Sequence, residues 1–245
     1  MEPGIFSTFL YQPLYNTLVF IISTVPGANV GVAIILLTIV VRGALLPLSH
    51  KQVVSQAKMR ELAPHLEKIK EKHKDDKQEQ ARKMMEFYKE HGVNPLSGCL
   101  LIVVQLPIIF ALYFVFFKGL PNLNAEHLYS FIHLPEAISM MFLGVLLSSK
   151  SGVLALLAAV TQYYQIKLSI PPMAPADKDA KPSFKDDFAR SMNVQMRYVL
   201  PVIVFGISYS ISAAIALYWA TSNMFSIAHE LYVKKMATKS IKSQS

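Results

Sequence analysis

Arg42 is the one charged residue in an apolar run of about twenty residues, 29–48, which contains the stretch TIVVRGALLP. A run of that length reaches across the hydrocarbon core of a bilayer, and an arginine inside it is costly unless something answers its charge. Three uses are open. The side chain could snorkel, because Arg42 lies six residues before Leu48, about 9 Å from the near end at ~1.5 Å per residue. Helical side chains tilt toward their own N-terminus, however, which here aims it away from the near headgroups. It could pair with a buried acid, but none of the sixteen acids falls inside an apolar run; Glu230, at the end of the last one, comes nearest. Or it could line a hydrated cavity. That use finds company at similar depth: Gln105 before Pro107, Thr161, Gln162 and Gln165 in one run, and Thr221, Ser222 and Asn223 just after Trp219 in another. Polar residues in spans also serve as glue between helices. With an arginine that lacks an acid beside them, a cationic pocket open to the cytoplasm is the better reading, and such a pocket suits a transient anionic guest.

No covalent chemistry is expected. The chain has no P-loop, no HExxH and no glycine-rich dinucleotide turn. His50, His65, His73 and His91 lack metal-ligand spacing, and Cys99 is the only cysteine. The reading is therefore not an enzyme: no catalytic residue, no metal and no cofactor.

The elements that must hold these residues follow from composition and charge. The 245 residues are 53% hydrophobic and only 16% charged, with a mean hydropathy of +0.36, which points to an integral membrane protein. Five spans are expected: 29–48, 95–117, 152–170, 196–210 and 211–232, the last two forming a tight hairpin broken near Ser208–Ser212. The segment 1–28 is interrupted by Gln12, Pro13 and Asn16 and reads as a helix lying in the interface. The loop 118–151 contains a second interfacial or re-entrant stretch, 134–147, too short to span.

Lysine and arginine set the orientation. Eleven lie between the first two spans, two between the second and third, six between the third and fourth counting the flanks Lys167 and Arg197, and four in the tail 233–245. That alternation places the N-terminus outside and the C-terminus in the cytoplasm. The net charge of +8 is then a property of cytoplasmic loops, with no specificity for nucleic acid. No lysine or arginine precedes Arg42, so no charged leader is expected.

Between spans one and two, residues 49–94 mix both signs of charge. Leu62, Leu66 and Ile69 share one helical face, and Ala81, Met84, Met85 and Tyr88 another. The spacing predicts a cytoplasmic hairpin of two helices with thin apolar stripes, loosely held and mobile, or else a solvated linker. The loop 171–195 opens on PPMAPADKDAKP, a composition that predicts disorder. Ser183 with Asp186 resembles a capping box.

Taken together, IVVRGALLPLSHKQVVSQAKM, MMEFYKEHGVNPLSGCLLIVVQLPIIFALYFVF and ALYWATSN strongly resemble the YidC/Oxa1/Alb3 membrane protein insertases. The resemblance runs from about residue 30 to 232. It implies an all-α polytopic protein of the bacterial plasma membrane, with a five-helix core, a cytoplasmic helical hairpin, and a groove open to cytoplasm and lipid. By resemblance Arg42 is the groove arginine, Gln105 and Trp219 line the groove with Tyr218 in the same motif, and Phe110 and Tyr113 flank the substrate path. The third-helix match, ALLAAVTQYYQ, is looser, so Gln162 and Gln165, like Asn223, enter from the polar pattern alone. The implied partners are nascent membrane proteins and the lipid bilayer, with the Sec translocon and the ribosome beyond them. The short basic tail is a weak ribosome ligand beside the family's long extensions. The chain is also expected to lack the large outside domain and the lipoprotein signal of some members.

The function expected is insertion and folding of membrane proteins, with Arg42 attracting acidic or polar tails. A channel or secondary transporter with an anion site at Arg42 is the alternative, although the repeats such folds carry are not visible. A structural partner of a translocase is a third reading, separated from the first by whether the purified protein inserts a substrate alone.

Overall fold

The computed structural model describes residues 4–74, 76–94, 97–119, 128–170 and 191–242; the proline-rich segment with Ser183 and Asp186 lies outside them. Within them the chain is almost wholly helical: α1 (Gln12–Thr24), α2 (Val30–Ala44), α3 (Leu46–Lys72), α4 (Lys77–Glu90), α5 (Ser97–Phe114), α6 (Gly152–Ser169), α7 (Ser191–Ile211) and α8 (Ala213–Lys242). A two-stranded hairpin, β1 (Met141–Phe142) and β2 (Val145–Leu146), is the exception. The residues divide into two compact units, Met1–Ala44 with Gln105–Ala228, and Leu45–Val104 with His229–Ser245.

In the first unit α1 packs on α2. Tyr15, Leu18, Val19 and Ile22 of α1 are buried, as are Val30, Ala33, Ile34 and Leu37 of α2. Both sets have the i, i+3, i+4, i+7 spacing of one helical face. Gly27, at φ +68°, makes the turn between them. Asn29 starts α2: its Oδ1 accepts from the Val32 amide at 3.1 Å while its Nδ2 donates to the Met141 carbonyl at 2.9 Å. One side chain thus caps a helix and ties it to β1. Gly31 lets the two meet, since a Cβ there would lie 2.3 Å from the Phe142 ring.

Residues 134–147, expected to lie as an apolar interfacial or re-entrant stretch, make the β1–β2 turn. Leu143 and Gly144 hold φ of +47° and +78°, which is the pair of positive values that a two-residue hairpin loop needs. The end of this loop also caps α8, whose Ala213 and Ala214 amides donate to the Ser149 and Leu147 carbonyls at 2.8 and 3.0 Å. Ser212 is extended (φ −166°, ψ 159°) and separates α7 from α8. Ala158 of α6, Val204 of α7 and Ala220 of α8 pack together, with Leu200 and Trp219 against them. In α7 a π-turn, Gln195–Val199, immediately precedes Pro201 at the next turn's start. Proline leaves a carbonyl of the preceding turn without its N–H, and a wider turn there relieves the clash.

The apolar run 29–48 is not one helix. α2 stops at Ala44, and α3 begins at Leu46 with Pro47 in its first turn. That is where a missing N–H costs nothing, and where the preceding helix is forced to end. Among the described residues one unbroken helix, α7, is long and apolar enough by itself to cross a membrane; Val30–Ala44 meets the test only together with Leu46–Ile69.

In the second unit α3 and α4 pack on each other. Asp76 caps α4, its Oδ1 accepting from the Gln78 and Glu79 amides at 3.0 Å each. Leu66 is buried, Met84 and Tyr88 are half-buried, and Ala81 and Met85 are exposed. The Phe87 ring lies between His65 and His91, at 6.1 and 4.1 Å. The buried Glu230 carboxylate takes Lys234 at 2.9 Å and Arg60 at 3.7 Å.

Candidate functional site

The polar residues of the first unit meet at α8. Its sequence places Tyr218, Ser222 and Ser226 four residues apart, along one helical face, with Trp219 and Asn223 on the adjoining one. Each face receives a different neighbour.

On the first, Arg42 of α2 donates through Nε to the Ser222 Oγ at 2.7 Å, and through Nη2 to the same oxygen. Gln105 of α5 donates through Nε2 to the Tyr218 hydroxyl at 2.9 Å. Tyr218 lies one turn before Ser222 on the same face of α8. Two pairs, Arg42 with Ser222 and Gln105 with Tyr218, thus meet on one face of α8 and draw on three helices. Among the described residues no carboxylate lies within ion-pair reach of Arg42. A neutral hydroxyl holds the charge.

On the second face, Trp219 donates its indole N–H to the Gln162 Oε1 at 3.0 Å. Gln162 passes its amide to Gln165 at 3.3 Å, and Gln165 donates to the Ser169 Oγ at 3.1 Å, so a polar stripe follows α6 to its end. Asn223 is buried, and its Nδ2 reaches the Ala158 carbonyl and the Thr161 Oγ1, both at 3.3 Å. This is the geometry of a bond between helices. Phe110 is 56% exposed on α5. Tyr113 is half-buried, its ring against Phe114 at 5.5 Å.

The structure thus brings Arg42, Gln105, Tyr218, Trp219 and Gln162 to one helix, extends them through Gln165, places Asn223 in the packing between α6 and α8, and leaves Phe110 outward. Ser222 is the residue that the sequence pattern lists with the polar neighbours of Trp219 without singling it out. The signal for it was its spacing of four from Tyr218.

Chemically the arrangement offers hydrogen-bond donors and one permanent positive charge in an otherwise apolar setting. It offers no nucleophile beside a base, and among the described residues no group of three or more histidine, cysteine or acidic side chains is placed to hold a metal.

An almost wholly helical chain with exposed apolar helix faces and an inward polar seam belongs to the class of helical membrane proteins. The sequence profile of the 60Kd inner membrane protein family matches residues 21–240, and the chain belongs to that family. It is 34% identical over 233 residues to the membrane protein insertase YidC of Fusobacterium nucleatum, a match covering 93% of this chain and 98% of the relative. It is 29% identical to the membrane protein insertase YidC 1 of Bacillus cereus, over 95% of this chain and 83% of the relative. Against the membrane protein insertase YidC of Shewanella woodyi the identity is 35%, over 93% of this chain but only 37% of that longer protein.

Proposed function

We propose that this chain is a membrane protein insertase of the bacterial inner membrane, and that Arg42 is its receptor for the acidic or polar tail of an arriving substrate. The observation that carries the site reading is the pairing of Arg42 with the neutral Ser222 oxygen, with no carboxylate in reach among the described residues. Membership of a family whose relatives bear the name insertase carries the activity.

In this reading five spans form the core, with the N-terminus outside and the hairpin and tail in the cytoplasm. Gln105, Tyr218, Trp219, Gln162 and Gln165 line a hydrophilic groove reached from the cytoplasm, Asn223 braces it, and Phe110 and Tyr113 border the substrate's exit. The tail of a nascent membrane protein enters and is attracted to the guanidinium, whose field is poorly screened away from bulk water. The groove shortens the apolar path the tail must cross. The apolar segment then leaves sideways into lipid, gaining about 25 cal/mol per Å² of surface withdrawn from water. No bond is made or broken. The translocon and the ribosome act as donors of the substrate, the ribosome through a weak contact with the basic tail.

The test is reconstitution of the purified protein alone into protein-free liposomes, with a short single-span substrate bearing either an acidic or a neutral tail. Lysine keeps the charge and loses the planar fork. Arg42→Lys should retain much of the insertion of the acidic tail, and Arg42→Ala should lose it, per folded molecule. Equal losses for both tails in a folded Arg42→Ala protein refute the receptor role. Anion flux without insertion would instead support an anion channel or transporter.

A further inference from the structure

We infer that Ser222 is the positioning residue of this site: it occupies the edge of Arg42 that a guest carboxylate takes, and is the resident stand-in for that carboxylate. The inference rests on the receptor reading of Arg42 and adds how the receptor is kept ready.

Nε and Nη2 lie along one edge of the planar guanidinium, and both donate to the single Ser222 oxygen. That edge is one with which arginine grips a carboxylate through two parallel N–H···O bonds. Ser222 therefore imitates a bidentate anion with one neutral atom. A hydroxyl oxygen has two acceptor positions, and Arg42 fills both. The hydroxyl proton must then point elsewhere, and Tyr218 lies one turn back on the same face of α8. Tyr218 is itself held by Gln105 at 2.9 Å. The Ser222 main-chain carbonyl accepts from the Ser226 Oγ at 3.0 Å. Ser222 is 2% exposed, so its oxygen stays where Arg42 needs it.

Two consequences follow. The long arginine side chain is ordered before a guest arrives, so less rotamer freedom is lost on binding. The bond it must release is one to a neutral oxygen, whereas the bonds it gains to a carboxylate are charge-assisted and roughly twice as strong. The exchange runs toward the guest, and the freed Ser222 hydroxyl donates to the carboxylate that displaced it. An acid built into the chain at this position would close the fork permanently.

The experiment compares Ser222→Asp with the neutral, near-isosteric Ser222→Asn in full-length protein reconstituted in liposomes, reading the ratio of acidic-tail to neutral-tail insertion. The ratio should fall to about one with Asp and stay well above one with Asn. Ser222→Thr, which keeps the hydroxyl, should hold the wild-type ratio, and Ser222→Ala should lower it several-fold; this pair gives the answer where the Asp variant fails to fold. Equal ratios for Asp and Asn, or for Thr and Ala, overturn the inference. Arg42→Ala is run alongside. If it leaves the ratio unchanged, the receptor reading itself fails; if it abolishes the ratio while the Ser222 pairs are indifferent, only the role of Ser222 fails.

Discussion

The indole N–H of Trp219 and the side-chain oxygen of Gln162 meet at 3.0 Å and join α8 to α6 across the polar seam. Removing the Gln162 oxygen leaves the half-buried indole N–H without this partner, at a cost of about 1 kcal/mol. Trp219 is also the only tryptophan, so the emission of the whole protein reports on this one contact. Gln162→Leu should shift that emission to the blue and lower the thermal midpoint in detergent. Gln162→Glu, which keeps the acceptor, should restore much of the red shift. Unchanged emission in Gln162→Leu would show that the indole proton has another partner.

Gly31 is the point where α2 and β1 touch. A Cβ placed there would fall 2.3 Å from Phe142, and overpacking of this kind costs about 1–3 kcal/mol. Gly31→Ala should lower the midpoint of thermal unfolding, and Phe142→Ala in the same chain should recover most of the loss. A Gly31→Ala protein as stable as wild type contradicts the contact.

The proposed orientation rests on the positive charge pattern. In a Cys99→Ser background, cysteines at Lys74 and Lys235 should react with a membrane-impermeant reagent only from the cytoplasm. One at Ser130, which is exposed in the loop after α5, should react only from outside. Labelling of Ser130→Cys from the cytoplasm removes the five-span arrangement.

In α4, a hydrogen bond from Arg82 holds the Glu79 carboxyl below its ordinary range, and one from Lys83 does the same for Glu86. Groups with depressed folded-state values contribute fully above their unfolded pKa of about 4.3, and the contribution is lost as the pH falls through the lower folded values. Amide exchange of 77–90, corrected for the intrinsic rate, should therefore quicken on acidification through that window more than exchange in α6. The Glu79→Gln, Glu86→Gln double variant should show no such step. High salt should mimic the loss in wild type, because these pairs stand in water.

Much of this was readable in advance because it depends on local pattern. The helical class follows from long apolar runs. The spacing of Leu62, Leu66 and Ile69, and of Ala81, Met84, Met85 and Tyr88, predicts helices where α3 and α4 lie. The arginine declared itself as a charge with no acid at its depth. What eluded the pattern was set by competition between neighbouring signals. Hydropathy joined residues 29–48 into one run, yet Pro47 is better placed in the first turn of a new helix, and α2 ends at Ala44. In 134–147 the apolar residues say nothing of the backbone path, and the positive φ at Leu143 and Gly144 turns a hairpin there.

By itself, the sequence determined which residues carry polarity and charge in an apolar chain, and that periodic faces would bury the rest, because these are properties of composition and of neighbours one turn apart. Only the tertiary structure decided that Arg42 answers to Ser222, 180 positions away, that Gln105 answers to Tyr218, and that Asn223 is spent on α6. A hydrogen bond requires two atoms within about 3 Å at a defined angle. Which of several polar side chains on a helix meets that condition depends on how the helices rotate and pack, and no spacing along the chain encodes that distance.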